Sequence, residues 1–362
     1  MLAALTQQLQ RRTGLSAAQV ADAVGQITAE NISAVDKAEF LTALAAKGAT
    51  VEEIASFASE LRDKSIAPPL DAATRAGEIL DVCGTGGDQL GTFNISTTVA
   101  LVCAAAGVAV AKHGNRAVTS QSGSADVLEA LGIRIDLSPA EAARSLADHG
   151  FAFFFAPNFH PAFKHIAPAR KLCAEKKQRT IFNFLGPLLN PARPTAQLVG
   201  VPRPELCEPM ARVLQTLGIR RGMVVSGTVS SSETAAPGTT RNQKPETRNF
   251  LDELSTLGEN TIAEFYQDRG FTVSTLSPEH FSLQAAALDD LLGGDKFANA
   301  EIIRRILRGD ERGPKRDAVL LNAAAALFVA GKTKSLTEGW ELAAGTIDNG
   351  AAARKLTELA TT

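Results

Sequence analysis

Cysteine is scarce in this chain, with Cys83, Cys103, Cys173 and Cys207 the only four among 362 residues. No two are spaced C-x-x-C and none stands near a histidine at zinc-ligand spacing, which argues against a zinc site. They read as buried thiols of a reducing compartment. Net charge is nearly absent as well: 37 basic residues against 39 acidic ones give −2. Such a chain has no global field to hold a DNA backbone or an acidic membrane, so any anion it binds must be held locally. Long apolar runs are missing too. The longest, Val99 to Ala111, contains Gly107 and runs into Lys112, well short of the ~20 residues that span a bilayer. The start, MLAALTQQLQRR, turns polar after five apolar residues, unlike a signal peptide. A cytoplasmic protein is expected. No repeat of 20–50 residues is found.

What is present is an ordinary apolar fraction of 45%, enough for a sizeable core and against full disorder. The length predicts about two domains. Residues 1 to about 65 read as short amphipathic helices, with capping boxes at Ser16–Gln19 and Thr50–Glu53 and a stop at Gly48. Residues 64–75, with a Pro-Pro pair, read as a connector. Beyond Glu78, strand-like Ile79–Cys83, helix-like Ile95–Ala106 and strand-like Val108–Ala111 alternate, as in an α/β domain with a parallel sheet. Phe151–Phe155 and Gly222–Ser226 predict further strands. Ser138-Pro-Ala-Glu predicts a helix start, and Asp317–Ala330 a buried helix. Residues 227–249, polar and rich in Ser and Thr, read as a disordered insertion.

Five stretches carry chemistry. Asp81-Val-Cys-Gly-Thr-Gly-Gly-Asp88 places three glycines after a strand, where the backbone can turn sharply and bring N–H groups to an anion. It matches neither the P-loop nor the G-x-G-x-x-G pattern. Asn94-Ile-Ser-Thr-Thr98 opens a helix, either as ordinary caps or as hydroxyls and N–H groups for a pyrophosphate, with a serine oxygen able to join a Mg²⁺ shell. Lys112-His-Gly-Asn-Arg116 follows a strand, where open α/β sheets place ligands, and Ser120–Asp126 continues with hydroxyls and glycine. His113, lacking a visible Asp or Cys partner, reads as a substrate contact or a packing group. Asp252-Glu253, flanked by leucines, suits Mg²⁺ beside a phosphate or else the start of a helix. Arg170, in His160-Pro-Ala-Phe-Lys-His-Ile-Ala-Pro-Ala-Arg170, is either a carboxylate clamp or an exposed arginine.

Taken together, GTGGD at 84–88, TFNIST at 92–97, KHGNR at 112–116 and SGSADVLEALG at 122–132 resemble the anthranilate phosphoribosyltransferases. HPAFKHIAPAR at 160–170, RTIFNFLGPLLNPA at 179–192 and LDELSTLG at 251–258 extend the likeness from about residue 79 to 265. The resemblance implies an α/β fold of the nucleoside phosphorylase/phosphoribosyltransferase kind. It would have a small all-α domain (1–70, with part of roughly 165–190 packed on it) and a larger α/β domain (71–362) around a mainly parallel sheet. It also implies a homodimer, two Mg²⁺ ions per active site, and anthranilate and phosphoribosyl pyrophosphate as substrates, in a step of tryptophan biosynthesis.

Carried over residue by residue, the likeness assigns the phosphoribosyl pyrophosphate site to Gly84, Gly87, Asp88, Thr92, Asn94, Ile95, Ser96 and Thr97. It adds Lys112, His113, Gly114, Asn115, Arg116, Ala117, Val118, Thr119, Ser120 and Ser124. Gly84, Asn115 and Arg170 would hold anthranilate, and Ser96, Asp252 and Glu253 the metal. No protein nucleophile is required, and none is evident. The chain departs from the family's pattern in the 227–249 insertion, in Gln121 where a lysine is common, and in the longer turn of Cys173–Gln178. The rivals are a related transferase or phosphorylase of the same fold, a nucleic-acid-binding paralogue and a dinucleotide oxidoreductase. Arg170 with Asn115, the near-zero charge and the missing G-x-G-x-x-G weigh against them in turn.

Overall fold

Ser16 and Thr50 each open a helix as their spacing predicts. Each side chain accepts from the third residue's N–H while that residue's side chain caps in return. Glu53 does more than cap: its carboxylate, 3% exposed, also accepts from the Leu15 N–H at 2.8 Å and pairs with Lys47 at 2.6 Å. Gly48 ends the preceding helix with φ 86°, a conformation that favours glycine. Helices Leu2–Gln10, Ala17–Ile27, Ala34–Lys47 and Val51–Asp63 form the N-terminal bundle. The connector holds one short helix, Ala72–Ala76, capped by Asp71; five residues without periodicity left it no signature in the sequence. The computed structural model describes residues 2–117, 121–229, 249–267 and 269–362. Most of the expected insertion, 230–248, lies outside the described residues.

Among the described residues eight strands follow: β1 (Ile79–Gly84), β2 (Ala109–Gly114), β3 (Phe151–Phe155), β4 (Ala196–Gly200), β5 (Arg221–Val229), β6 (Asn249–Leu251), β7 (Asn260–Tyr266) and β8 (Gly270–Leu276). They lie in the order β3-β2-β1-β4-β5-β7-β8, with β6 paired to the end of β5. The first five pair in parallel; β6, β7 and β8 are antiparallel. The sheet is therefore mainly parallel, as expected. Boundaries differ in two places. β5 runs past Ser226 to Val229 and β6 starts at Asn249, so both ends of the expected insertion are paired strand. The sequence reading also ends β2 at Ala111, whereas pairing with β3 continues to Gly114↔Phe155 and draws Lys112, His113 and Gly114 into the strand.

Both faces of the sheet are covered, as parallel sheets require. On one face Val82, Val110, Leu198 and Val225 pack against helices Ile95–Ala105 and Pro314–Val329, the latter buried along most of its length as predicted. On the other, Val199, Val224 and Phe265 join a core with Phe40, Phe57 and Leu61 of the bundle. Ile166, Ala169 and Cys173, around helix Ala167–Glu175, enter that same core.

Candidate active site

Three neighbouring strands, β1, β2 and β4, end in glycine: Gly84, Gly114 and Gly200. Ligands of open α/β sheets bind beyond such carboxyl ends. Across them lies the segment after β6. A Cβ on Gly84 would fall 2.3 Å from Asp252 Oδ2, so the glycine is what admits the carboxylate. The Gly86 N–H donates to Asp252 Oδ2 at 2.7 Å, and the Ser96 N–H donates to Glu253 Oε1 at 3.1 Å. Lys112, 1% exposed, donates to the Val82 carbonyl at 2.7 Å and to Ser96 Oγ at 3.3 Å. Residues from four separate motifs thus meet at one place. Gly86 and Gly87 have φ 73° and 93°, which bends the loop over the strand end.

Burial drives the electrostatics. It raises the Asp252 carboxyl well above the usual carboxylate range, with the charges of Asp88 and Glu253 adding to the effect. Glu253 is pushed up to about 8 by burial, partly offset by Lys112. Burial lowers the Lys112 ammonium against the pull of Asp81. These carboxylates lie in no helix; they sit in the bend after β6, which removes the alternative of an acidic helix start. Among the described residues, no three His, Cys, Asp or Glu side chains form a metal cage. The donor set instead suits Mg²⁺, which takes one or two carboxylates and completes its shell with water and substrate phosphates. A divalent cation would also offset the clustered negative charge that burial disfavours.

Asn94 does not cap its helix with its side chain. Its amide donates to the Ser122 carbonyl at 3.3 Å while its Oδ1 accepts from Asn299 Nδ2 at 2.9 Å. Ile95 lies in the core, so only its main chain can serve the site. Thr92 bridges to Leu292. Asp126 closes the loop after β2, accepting from the Ala117 and Gly123 N–H groups at 2.8 and 3.0 Å. The Arg116 guanidinium, read from sequence as a substrate contact, is engaged by Asp126 and Glu129 at 3.0 and 2.9 Å. Asn115 accepts through its carbonyl from Ser124 Oγ at 3.4 Å. Val118, Thr119 and Ser120 lie outside the described residues.

His113 sits edge-on to His160, with ring centroids 5.3 Å apart. His160 stacks on Phe163 at 5.1 Å, Phe163 meets Phe182 at 5.9 Å, and the Arg170 guanidinium lies 5.1 Å over Phe182. An aromatic file therefore connects the end of β2 to Arg170. Sequence reasoning singled out Arg170 but not His160, Phe163 or Phe182, although all three stand in quoted motifs. It also missed Asp81, fully buried, which accepts from Asn190 Nδ2 at 2.9 Å and Gln197 Nε2 at 3.4 Å. The repeated aromatics around Arg170 were the signal available for the first group. Asp81 had none beyond an acid inside an apolar strand.

Glycine-ended strands facing buried carboxylates, beside a helical bundle, form a site suited to a phosphorylated substrate with a divalent cation. Residues 3–65 match the family described as "Glycosyl transferase family, helical bundle domain", and 76–250 and 246–353 match its "a/b domain". The chain is 47% identical over 325 residues to the anthranilate phosphoribosyltransferase of Lacticaseibacillus casei, covering 90% of this chain and 86% of that one. It is 44% identical over 362 residues to that of Geobacter sulfurreducens, covering 97% and 96%. The chain belongs to the anthranilate phosphoribosyltransferases. Among solved structures, the Thermus thermophilus enzyme superposes with a TM-score of 0.84 at 39% identity, covering 99% of this chain and 98% of that one. The Saccharomyces cerevisiae enzyme, solved in complex with PRPP and Mg, gives 0.82 at 26% identity, covering 99% and 96%.

Proposed function

We propose that this site transfers the phosphoribosyl group of phosphoribosyl pyrophosphate to the amine of anthranilate. The products are N-(5-phosphoribosyl)-anthranilate and pyrophosphate, a step of L-tryptophan biosynthesis. The observation that carries the reading is the meeting of Ser96, Lys112, Asp252 and Glu253 over the glycine end of β1. Gly84, Gly87, Asp88, Thr92, Asn94 and the main chain of 95–97 surround the pyrophosphate and ribose phosphate. Lys112–Gly114 at the end of β2, Asn115–Ala117 in the loop after it and Ser124 beyond that loop complete the site, with Arg116 bracing the loop through Asp126 and Glu129.

Ser96 Oγ, Asp252 and Glu253 would hold two Mg²⁺ ions, which when bound would supply charge stabilisation for the departing pyrophosphate. Lys112 and the N–H groups of Gly87 and Asp88 add to that stabilisation from the protein side. The C–N bond forms as the anomeric C–O bond breaks; the electron pair leaves with pyrophosphate, and the amine gives up one proton to pyrophosphate or water. Asn115 and Arg170 orient anthranilate, Arg170 through its carboxylate, while the file of His113, His160 and Phe163 offers its ring an apolar wall. The bundle 1–70, with roughly 165–190, and the α/β unit 71–362 act as two walls of the cleft. The enzyme works as a cytoplasmic homodimer contacting through the bundle. No helix among the described residues is long and apolar enough to cross a membrane.

The test is loss of anthranilate fluorescence with phosphoribosyl pyrophosphate, with and without Mg²⁺, for the parent and Asp252→Ala. Loss that requires both small molecules, and that the variant largely fails to produce at low Mg²⁺, supports the reading. No loss from folded parent protein at any Mg²⁺ concentration overturns it.

A further inference from the structure

The segment 252–255 belongs to no strand or helix, yet Leu254 and Ser255 are fully buried. Buried peptide groups need partners, and here two asparagines, each 0% exposed, provide them. The Leu254 N–H donates to Asn322 Oδ1 at 2.8 Å while Asn322 Nδ2 donates back to the Leu254 carbonyl at 2.8 Å. On the next residue the Ser255 N–H donates to Asn260 Oδ1 at 2.6 Å, and Asn260 Nδ2 returns to the Ser255 carbonyl at 3.0 Å. Two consecutive residues therefore each have their N–H and C=O held by one carboxamide, as an antiparallel strand neighbour would hold them.

Asn322 stands out in its surroundings. It is placed in helix Pro314–Val329, among Leu320, Leu321 and Ala323–Leu327, where an unpaired amide would be costly. Its remaining amide hydrogen goes to the Ala318 carbonyl one turn back, at 2.9 Å. It thus carries a rigid, satisfied carboxamide to the residue directly after Glu253. On the opposite side Gly227 leaves room for the segment, since a Cβ there would lie 2.7 Å from the Glu253 carbonyl.

We infer that Asn322 is a positioning residue for the Asp252–Glu253 pair, fixing through the Leu254 peptide where the two carboxylates meet a divalent cation. The inference rests on reading Asp252 and Glu253 as metal ligands. Groups that orient ligands from behind typically change metal affinity by roughly 10–100-fold when removed.

The probe is Mn²⁺ titrated by EPR into protein saturated with phosphoribosyl pyrophosphate and lacking anthranilate. Asp252→Asn gives the baseline set by the sugar substrate alone. Asn322→Ala is expected to weaken Mn²⁺ binding about tenfold or more. Its turnover, low at limiting Mg²⁺, is expected to recover in excess Mg²⁺. Asn322→Ser, whose hydroxyl can still bond the Ala318 carbonyl, serves if the alanine variant fails to fold. A lowered melting temperature with parent-like Mn²⁺ affinity would overturn the inference and leave Asn322 a purely structural clamp. Parent-like affinity in Asp252→Asn would instead overturn the metal reading itself, a result distinguishable from the first.

Discussion

Gly200 and Asp252 lie so close that a Cβ on the glycine would sit 1.6 Å from the aspartate carbonyl oxygen. The obstacle is main chain, which cannot swing aside as a side chain would. Gly200→Ala is therefore expected to push the 252–253 segment off the end of β4 and to cost about 1–3 kcal/mol in stability. Because the displaced segment carries both carboxylates, the Mg²⁺ concentration for half-maximal turnover is expected to rise as well. Urea unfolding and a Mg²⁺ titration of the rate check the two effects. An unchanged Mg²⁺ requirement would separate this glycine from the site.

Asn299 settles which way Asn94 faces. Asn299 Nδ2 donates to Asn94 Oδ1 and to the Gly294 carbonyl, while its own Oδ1 accepts from the Gly294 N–H. Asn94 therefore turns its amide to the loop side, where one hydrogen goes to the Ser122 carbonyl and the other would serve a phosphate. Asn299→Asp removes the donor and places an oxygen against Asn94 Oδ1. The expected result is a higher KM for phosphoribosyl pyrophosphate, by about tenfold, with little change in KM for anthranilate. In an Asn94→Ala background the same substitution is expected to have little further effect. Full additivity of the two would show that they do not act together.

Much of this was legible in the sequence because it is local. Capping boxes, the glycine turn after β1 and the alternation of strand and helix each depend on neighbours within a few residues, and Ser16, Thr50 and Gly48 behave accordingly. The site motifs were legible by resemblance. What stayed hidden is what joins distant segments. Asn322 meets Leu254 across 68 residues, and Asn299 meets Asn94 across 205. Nothing in the local pattern of an alanine-rich helix says which carbonyl its one asparagine will find. The short strand β4 also went unread, because a five-residue run fully buried on both faces shows no alternation. Lys112 and His113 were placed after β2 because charged residues read as a loop. Parallel pairing with Phe153 and Phe154 keeps them in the strand.

Arg170, an exposed residue in the first turns of helix Ala167–Glu175, meets the aromatic file with its guanidinium over Phe182. As the proposed carboxylate clamp it would serve one substrate and not the other. Arg170→Ala is expected to raise KM for anthranilate about tenfold or more while leaving that for the sugar substrate nearly unchanged. Arg170→Lys is expected to restore only part of the loss, because an ammonium cannot make the paired, planar contact. Equal changes in both KM values would mark Arg170 as structural.

His113 and His160 link this same region to pH. Burial first, then the neighbouring imidazole, pushes His113 down to about 3, and burial pushes His160 down to about 4. In the unfolded chain both return to the ordinary 6.5. Below that value the unfolded state holds more protons than the folded one. The stability they contribute is therefore complete above pH 6.5 and is lost as the pH falls toward 4. The slope for each ring approaches about 1.4 kcal/mol per pH unit, or about 2 kcal/mol by pH 5. Asp81, raised to about 6 by burial, acts in the opposite direction. Comparing two proteins at each pH cancels that contribution. His160→Gln is expected to cost some stability at pH 7.5 yet to lose less than the parent between pH 6.5 and 5. Urea unfolding at three pH values measures the difference, and parallel curves for the two proteins would show that His160 is protonated as easily folded as unfolded.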